Sequence, residues 1–225
     1  MTAAALPVLS VEDLLRAQGA EPGRSGPRQA RLTAIAEEAL AIASAAVTPA
    51  SAWSWREVTG VHPGRVQLAG AASLRHPALA AQLAGATRVA AAALTLGPGL
   101  EQRMAREAAA RPSLGLALDA CGSLLLMRLA TALRSSIAAG AEALGLTAGA
   151  YLAPGMPGWP VVPGQAELLG LIVPAPAGLS LTSHGMLVPG KSLTFLLGAG
   201  PALTPGGAPC ECCDRAPRCN HRQPA

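Results

Sequence analysis

Aromatic side chains are nearly missing from this chain of 225 residues: Trp53, Trp55, Trp159, Tyr151 and Phe195 make up only 2% of it. Rings normally supply much of the buried area of a core. This core must instead be built from Leu, Val and a great deal of Ala, which permits close helix packing and contributes little area per residue. Lysine is as scarce, with Lys191 alone, so the formal charge of +4 comes from arginines spread along the chain. No basic run is interleaved with aromatics, and nucleic-acid binding is not expected.

Other absences narrow the field further. The first ten residues lack a basic region and run at once into Glu12 and Asp13, so no export signal is expected and the location is expected to be cytoplasmic. The longest uncharged stretch, residues 168–190, is interrupted by Pro174, Pro176, Gly178 and Gly185. Those residues would break a spanning helix, so no membrane segment is expected. A Ser-His-Asp order, a His-Glu-x-x-His pair and a dinucleotide fingerprint are all missing, and with them the usual grounds for a hydrolase or a dehydrogenase.

What is present is unevenly placed. Four of the five cysteines sit in the last sixteen residues, as Cys210-Glu-Cys212-Cys213-Asp-Arg-Ala-Pro-Arg-Cys219-Asn-His221-Arg222. Thiols so crowded in a Pro/Gly-rich tail have little core to fill, and in a reducing compartment they point to a metal rather than to structural disulfides. Cys210, Cys213 and Cys219, with Cys212 as fourth ligand or spare and His221 as a substitute, are expected to hold zinc or an iron–sulfur cluster. The fifth, Cys121, lies in an apolar helical pattern and reads as a small buried hydrophobe.

The length suits one substantial core: an α+β domain over residues 1–205 and a cysteine-rich tail over 206–225. In residues 31–47, Leu32, Ile35, Ala39, Ile42 and Ala46 share one helical face. Alternation around Trp53 and Trp55 predicts a short strand, and residues 77–86 a short helix. Residues 87–96 read as a buried strand closing on Gly97-Pro98-Gly99, although the run of alanines leaves strand and helix both open. A helix over about 100–110 is expected to carry Glu101, Arg103, Arg106 and Glu107 on its outer face. The longest helix falls within 113–146, where Leu114, Leu118, Cys121, Leu125, Leu129, Leu133 and Ile137 recur at helical spacing. Beyond it come loops, a helix around 165–171 and strands at 179–182, 186–188 and 192–197. The pattern is α+β, with helices packed on a small, mostly antiparallel twisted sheet.

Several phrases occur together in one order: Thr95-Leu-Gly97-Pro98-Gly99-Leu-Glu101; Leu118-Asp119-Ala-Cys121-Gly122-Ser123; Pro154-Gly155-Met156-Pro157-Gly158-Trp159-Pro160 with Gln165 after it; and Leu181-Thr182 followed by Met186, Pro189, Lys191 and Ser192. They resemble the activation-domain family of vitamin B12-dependent methionine synthase, in particular its short stand-alone members. The terminal pattern of Cys210 paired with Cys213 and followed by Cys219 and Arg222 is similar to their tails. The resemblance implies an activation-domain-like fold and a part in reductive remethylation of cobalamin, with a corrinoid-binding protein or corrinoid methyltransferase as partner supplying the cobalamin. It places a cofactor-binding face on Tyr151, Pro154, Gly155, Met156, Gly158, Trp159, Lys191 and Ser192, where Trp159 would be either an apolar contact for the macrocycle or a buried loop anchor. It also implies S-adenosylmethionine as methyl donor, yet Tyr151 stands where the family has a carboxylate-binding arginine, Met156 where a tyrosine is common, and Ser183 with His184 where an acidic residue is found. S-adenosylmethionine is therefore expected to bind weakly or not at all. The alternatives are a metal-bound scaffold that recruits a partner, or an electron-transfer protein with an iron–sulfur tail.

Overall fold

Four alanines in a row, Ala90 to Ala93, form the middle of strand β4 (Arg88–Thr95), and all four are fully buried. In a computed structural model that describes residues 6–207 apart from positions 22, 24 and 177, this strand lies inside a six-stranded sheet of order β3-β2-β1-β4-β8-β5. The other members are β1 (Ala50–His62), β2 (Arg65–Leu68), β3 (Ser73–Leu74), β5 (Thr147–Leu152) and β8 (Ser192–Gly200). Every pairing in the sheet is antiparallel. A separate hairpin joins β6 (Ser180–Leu181) to β7 (Leu187–Val188). The fold is thus α+β with an open antiparallel sheet, as the sequence predicts.

Side chains of β4 alternate between two cores, because successive residues of a strand face opposite ways. Ala90, Ala92 and Leu94 join Phe195 and Leu197 under the helices α1 (Val11–Ala17), α2 (Pro27–Ala46), α4 (Gly99–Ala110) and α5 (Pro112–Glu142). Val89, Ala91 and Ala93 join Leu196, Leu152 and Trp159 on the other face, where α3 (Pro77–Gln82) and α6 (Val161–Gly170) lie. Trp53 and Trp55, two residues apart on β1, share the first face with ring centroids 5.6 Å apart, edge to face. Cys121 is fully buried there, and burial pushes its thiol up to about 11.

The structure departs from the sequence reading at identifiable places. Glu107, expected on the outer face of α4, is buried; ion pairs with Arg103 (3.2 Å) and Arg111 (2.7 Å) satisfy its carboxylate there. Strand β1 runs for 13 residues rather than as a short strand. Helix α1 escapes the periodicity because it is only seven residues long; a capping box between Ser10 and Asp13 starts it, and Arg128 of α5 pairs with Asp13 at 2.8 Å. Among the described residues, α5 alone is long and apolar enough to cross a bilayer, yet its apolar face is packed on α2, α4 and the sheet.

Close approach between helices is set by small residues. A Cβ on Gly99, at the start of α4, would overlap the carbonyl oxygen of Ala46 at the end of α2. Gly99→Val is therefore expected to destabilise the fold by about 1–3 kcal/mol or more, the usual range for overpacking. Gly140, inside α5 with nothing within 4 Å of a Cβ, should behave oppositely: Gly140→Ala should stabilise by about 0.5–1 kcal/mol through helix propensity. Urea unfolding midpoints of the two variants, moving in opposite directions, check both.

Candidate functional site

Antiparallel pairing brings most of the recurring phrases to one end of the sheet. Thr95 at the end of β4 pairs with Ser192 at the start of β8 and with Ala50 at the start of β1, and β5 leaves the sheet at Leu152 beside Leu196. The Pro-Gly loop, the turn Gly97-Pro98-Gly99 and the segment leading into β8 therefore emerge together. The loop is closed by its own backbone: Gly155 N–H donates to the Trp159 carbonyl (2.8 Å), Trp159 N–H to Met156 (3.0 Å) and Met156 N–H to Ala153 (3.1 Å). The Met156 sulfur turns inward and accepts the Ala153 N–H at 3.2 Å.

Trp159 is a loop anchor. Its side chain is 2% exposed, packs with Leu168, Leu171 and Leu152, and stands 6.1 Å from the His76 ring. Among the described residues its indole N–H has no hydrogen-bond partner. Gly164 leaves room for it, since a Cβ there would lie 2.5 Å from Nε1. A face presented to a macrocycle is not what this indole offers, and deleting it would cost about 3–5 kcal/mol of stability. Around it, α6 is tied down by polar contacts. Thr194 Oγ1 donates to Gln165 Oε1 (2.6 Å), His76 Nε2 meets Glu167 Oε2 (2.9 Å), and Arg56 forks onto the Leu171 carbonyl (2.9 and 3.1 Å).

Tyr151 and Lys191 lie on the opposite face. The Tyr151 ring stacks on Phe195 at 5.3 Å, and burial pushes its phenol up to about 12, against an opposing pull from the charge of Arg134. Lys191, whose side chain is 15% exposed, bridges to Asp119 (2.8 Å) and Ser123 (2.9 Å) on α5, passing over Gly122 where a Cβ would meet its methylenes. Next to it, the Glu101 carboxylate accepts the Gly190 N–H (3.0 and 3.1 Å), and Ser192 Oγ donates to Thr95 Oγ1 (2.7 Å). Lys191 and Ser192 thus hold the phrase between α4, α5 and β4. The structure brings Pro154, Gly155, Met156, Gly158 and Trp159 together, sets Tyr151 and Lys191 on the opposite face of the sheet, and buries Ser192 at the start of the inner strand β8 against Thr95.

Two features of this region were not read from the sequence. The turn of the β6–β7 hairpin rests on the first turn of α6, where a Cβ on Gly185 would be 2.9 Å from Val162 Cα. Val161, Val162, Met186 and Val188 are exposed around that contact, Met186 at 61% and Val162 at 54%. A Val-Val pair after a proline reads as core, so only the three-dimensional contact shows that it faces outward. Beside Tyr151, a groove of about 550 Å³ runs between α3 and the edge strand β5, lined by Gln82, Gly149, Ala150 and residues 202–207. That volume is within the range of small-molecule sites, about 300–1,000 Å³.

Cys210, Cys212, Cys213, Cys219 and His221 lie outside the described residues. Among the described residues, no group of three or more His, Cys, Asp or Glu side chains is placed to hold a metal ion.

No family model matches the sequence, and no curated protein matches it. Among solved structures, the fold is similar to a crystal structure of the MetH reactivation domain bound to AdoHcy, with a TM-score of 0.51 and 14% identity. The likeness covers 80% of this chain and 69% of that one. At that identity it shows a shared fold.

Burial of Tyr151 has a pH consequence. A phenol whose folded value of about 12 exceeds its ordinary 10 keeps its proton where the unfolded chain has lost it, so stability should fall as pH rises from 10 towards 12. Because the chain has a single tyrosine, tyrosinate absorbance reads this group alone. Its midpoint should sit well above 10 in the folded chain and return to about 10 in denaturant; equal midpoints would place the phenol in solvent.

Proposed function

We propose that this chain is an accessory protein for a corrinoid-dependent methyltransferase, docking a cobalamin-carrying module and assisting its reductive reactivation. Two things support the reading: the fold is similar to that of the MetH reactivation domain, and the ordered phrases resemble that family. The observation that carries it is the exposed apolar rim of Val161, Val162, Met186 and Val188 beside the closed Pro-Gly loop. Grouped exposed hydrophobes bordered by polar surface mark interaction sites. The corrinoid would belong to the partner module, and its reduction and methylation would draw on a separate reductant and a methyl donor. This chain's own contribution would be to bind the module and to keep the loop in one conformation through Trp159.

A methyl donor of the S-adenosylmethionine type finds a poor fit at Tyr151. The phenol is neutral and its ring is packed on Phe195, so at most one neutral hydrogen bond replaces a charge-assisted pair worth about 1.5–3 kcal/mol. The groove beside it is large enough for such a ligand, and the MetH reactivation domain was crystallised with AdoHcy. The reading therefore assigns this chain weak binding of the nucleoside at best. If the docking role is right, a cobalamin-loaded module should bind more tightly than its cofactor-free form, and Val162→Asp with Met186→Asp should weaken that binding at an unchanged melting temperature. Equal affinity for loaded and empty module would sink it. In the same calorimeter, S-adenosylmethionine should bind no tighter than about 1 mM.

A second reading rests on the tail. Four cysteines within ten residues, Cys210, Cys212, Cys213 and Cys219, favour a bound metal, which would make the chain a zinc scaffold or an iron–sulfur electron donor to the corrinoid. Elemental analysis of protein made with iron and zinc in excess decides between them. Metal content should fall in a Cys213→Ala/Cys219→Ala variant, and equal content in variant and parent would remove the tail from the account.

A further inference from the structure

The apolar rim is not the surface of a single element. Val161 and Val162 come from the first turn of α6, whereas Met186 and Val188 come from the β6–β7 hairpin. That hairpin forms a small sheet of its own, separate from the six-stranded one. Of its four strand residues only Leu187 is buried, so little apolar area fixes it in place. An element held this lightly is of the kind that moves without the rest of a fold. The two halves of the rim stay side by side only while the hairpin rests on α6.

The hairpin is pinned at both ends. Its tip is closed by Thr182, whose Oγ1 accepts the Met186 N–H (3.1 Å) and whose own N–H donates to the Met186 carbonyl (2.9 Å). There Gly185, at a φ of 74°, lies so close to α6 that a Cβ would be 2.9 Å from Val162 Cα. At the root, two residues beyond Val188, both oxygens of Glu101 accept the Gly190 N–H, and a Cβ on Gly190 would be 2.5 Å from Oε1. Glu101 stands in the first turn of α4, where the helix dipole favours its negative charge. The root is thus held by a charge-assisted bond, stronger than one between neutral groups.

We propose that Glu101 is a positioning residue of the docking face: by fixing the root of the hairpin, it keeps Met186 and Val188 beside Val161 and Val162. The inference rests on the docking reading above and adds what assembles the face. A partner that binds only the assembled face has its apparent affinity scaled by the fraction of chains in which the face is assembled. Releasing the root lowers that fraction and leaves the six-stranded sheet and both cores as they are.

Binding of the cobalamin-loaded module and an NOE spectrum of the chain alone test this together. Glu101→Ala should weaken binding of the loaded module about fivefold, the loss shown by a face assembled about a fifth of the time. Glu101→Gln, which keeps an acceptor oxygen at the same reach, should retain most of the affinity. In the free chain, the NOE between the Gly185 α-protons and the Val162 methyls reads the far end of the hairpin. It should fade in Glu101→Ala and persist in Glu101→Gln, both at an unchanged melting temperature. Parental affinity in Glu101→Ala, or an NOE of parental strength there, overturns the positioning role and leaves the docking reading intact. An equal loss of affinity in both variants overturns it as well, since the charge itself would then be meeting the partner. If the parent binds loaded and empty modules alike, the docking reading fails and the positioning role falls with it.

Discussion

The distance between the sheet and its helices governs everything else in this protein, and alanine sets it. From Val89 to Thr95 every residue of β4 is buried, and the four alanines in its middle give both helical layers only a methyl group to rest on. Such packing forgoes the area that aromatic rings would supply and replaces it with dense contact between backbones. The same economy recurs between helices, where Gly99 meets the end of α2 and Gly115 meets Ala108 across the junction of α4 and α5. It recurs at Gly122, which lets Lys191 lie flat on α5 and reach Asp119.

Much of this was legible in the sequence, and the reasons are particular. Helix α5 carried its period in leucines over many turns, and an uninterrupted apolar run ending at Gly97-Pro98-Gly99 marked β4 as a buried element, while its alanines left strand and helix both open until the pairing with β1 and β8 decided it. Those signals are local and repeated, so they survive folding unchanged. Helix α1 was too short to show a period, and Glu107 followed the charge rule for an outer face until two arginines made burial possible. Both depend on partners from elsewhere in the sequence or in the next turn.

The candidate site was legible in composition and less so in direction. The Pro-Gly phrase marked a stiff closed loop, and the structure has one. Which way a side chain points depends on register, and a strand's parity cannot be read from a single motif. Tyr151 and Leu152 are neighbours in sequence and belong to different cores. Trp159, flanked by glycine and proline, has no periodic context to say whether it faces in or out, and the hollow that receives it is made by Gly164 five residues later. The outward apolar rim was hidden for the opposite reason, because Val161 and Val162 look like core.

Open sheets expose a row of unpaired backbone groups at each border, and another chain can extend the sheet there. Here one border ends in β3, only two residues long, and the other, β5, has its Ala148 carbonyl taken by Gly206. One border is thus short, and the other is partly covered by the chain's own next segment. A strand added at β5 would have to compete with the chain's own Gly206 for the Ala148 carbonyl.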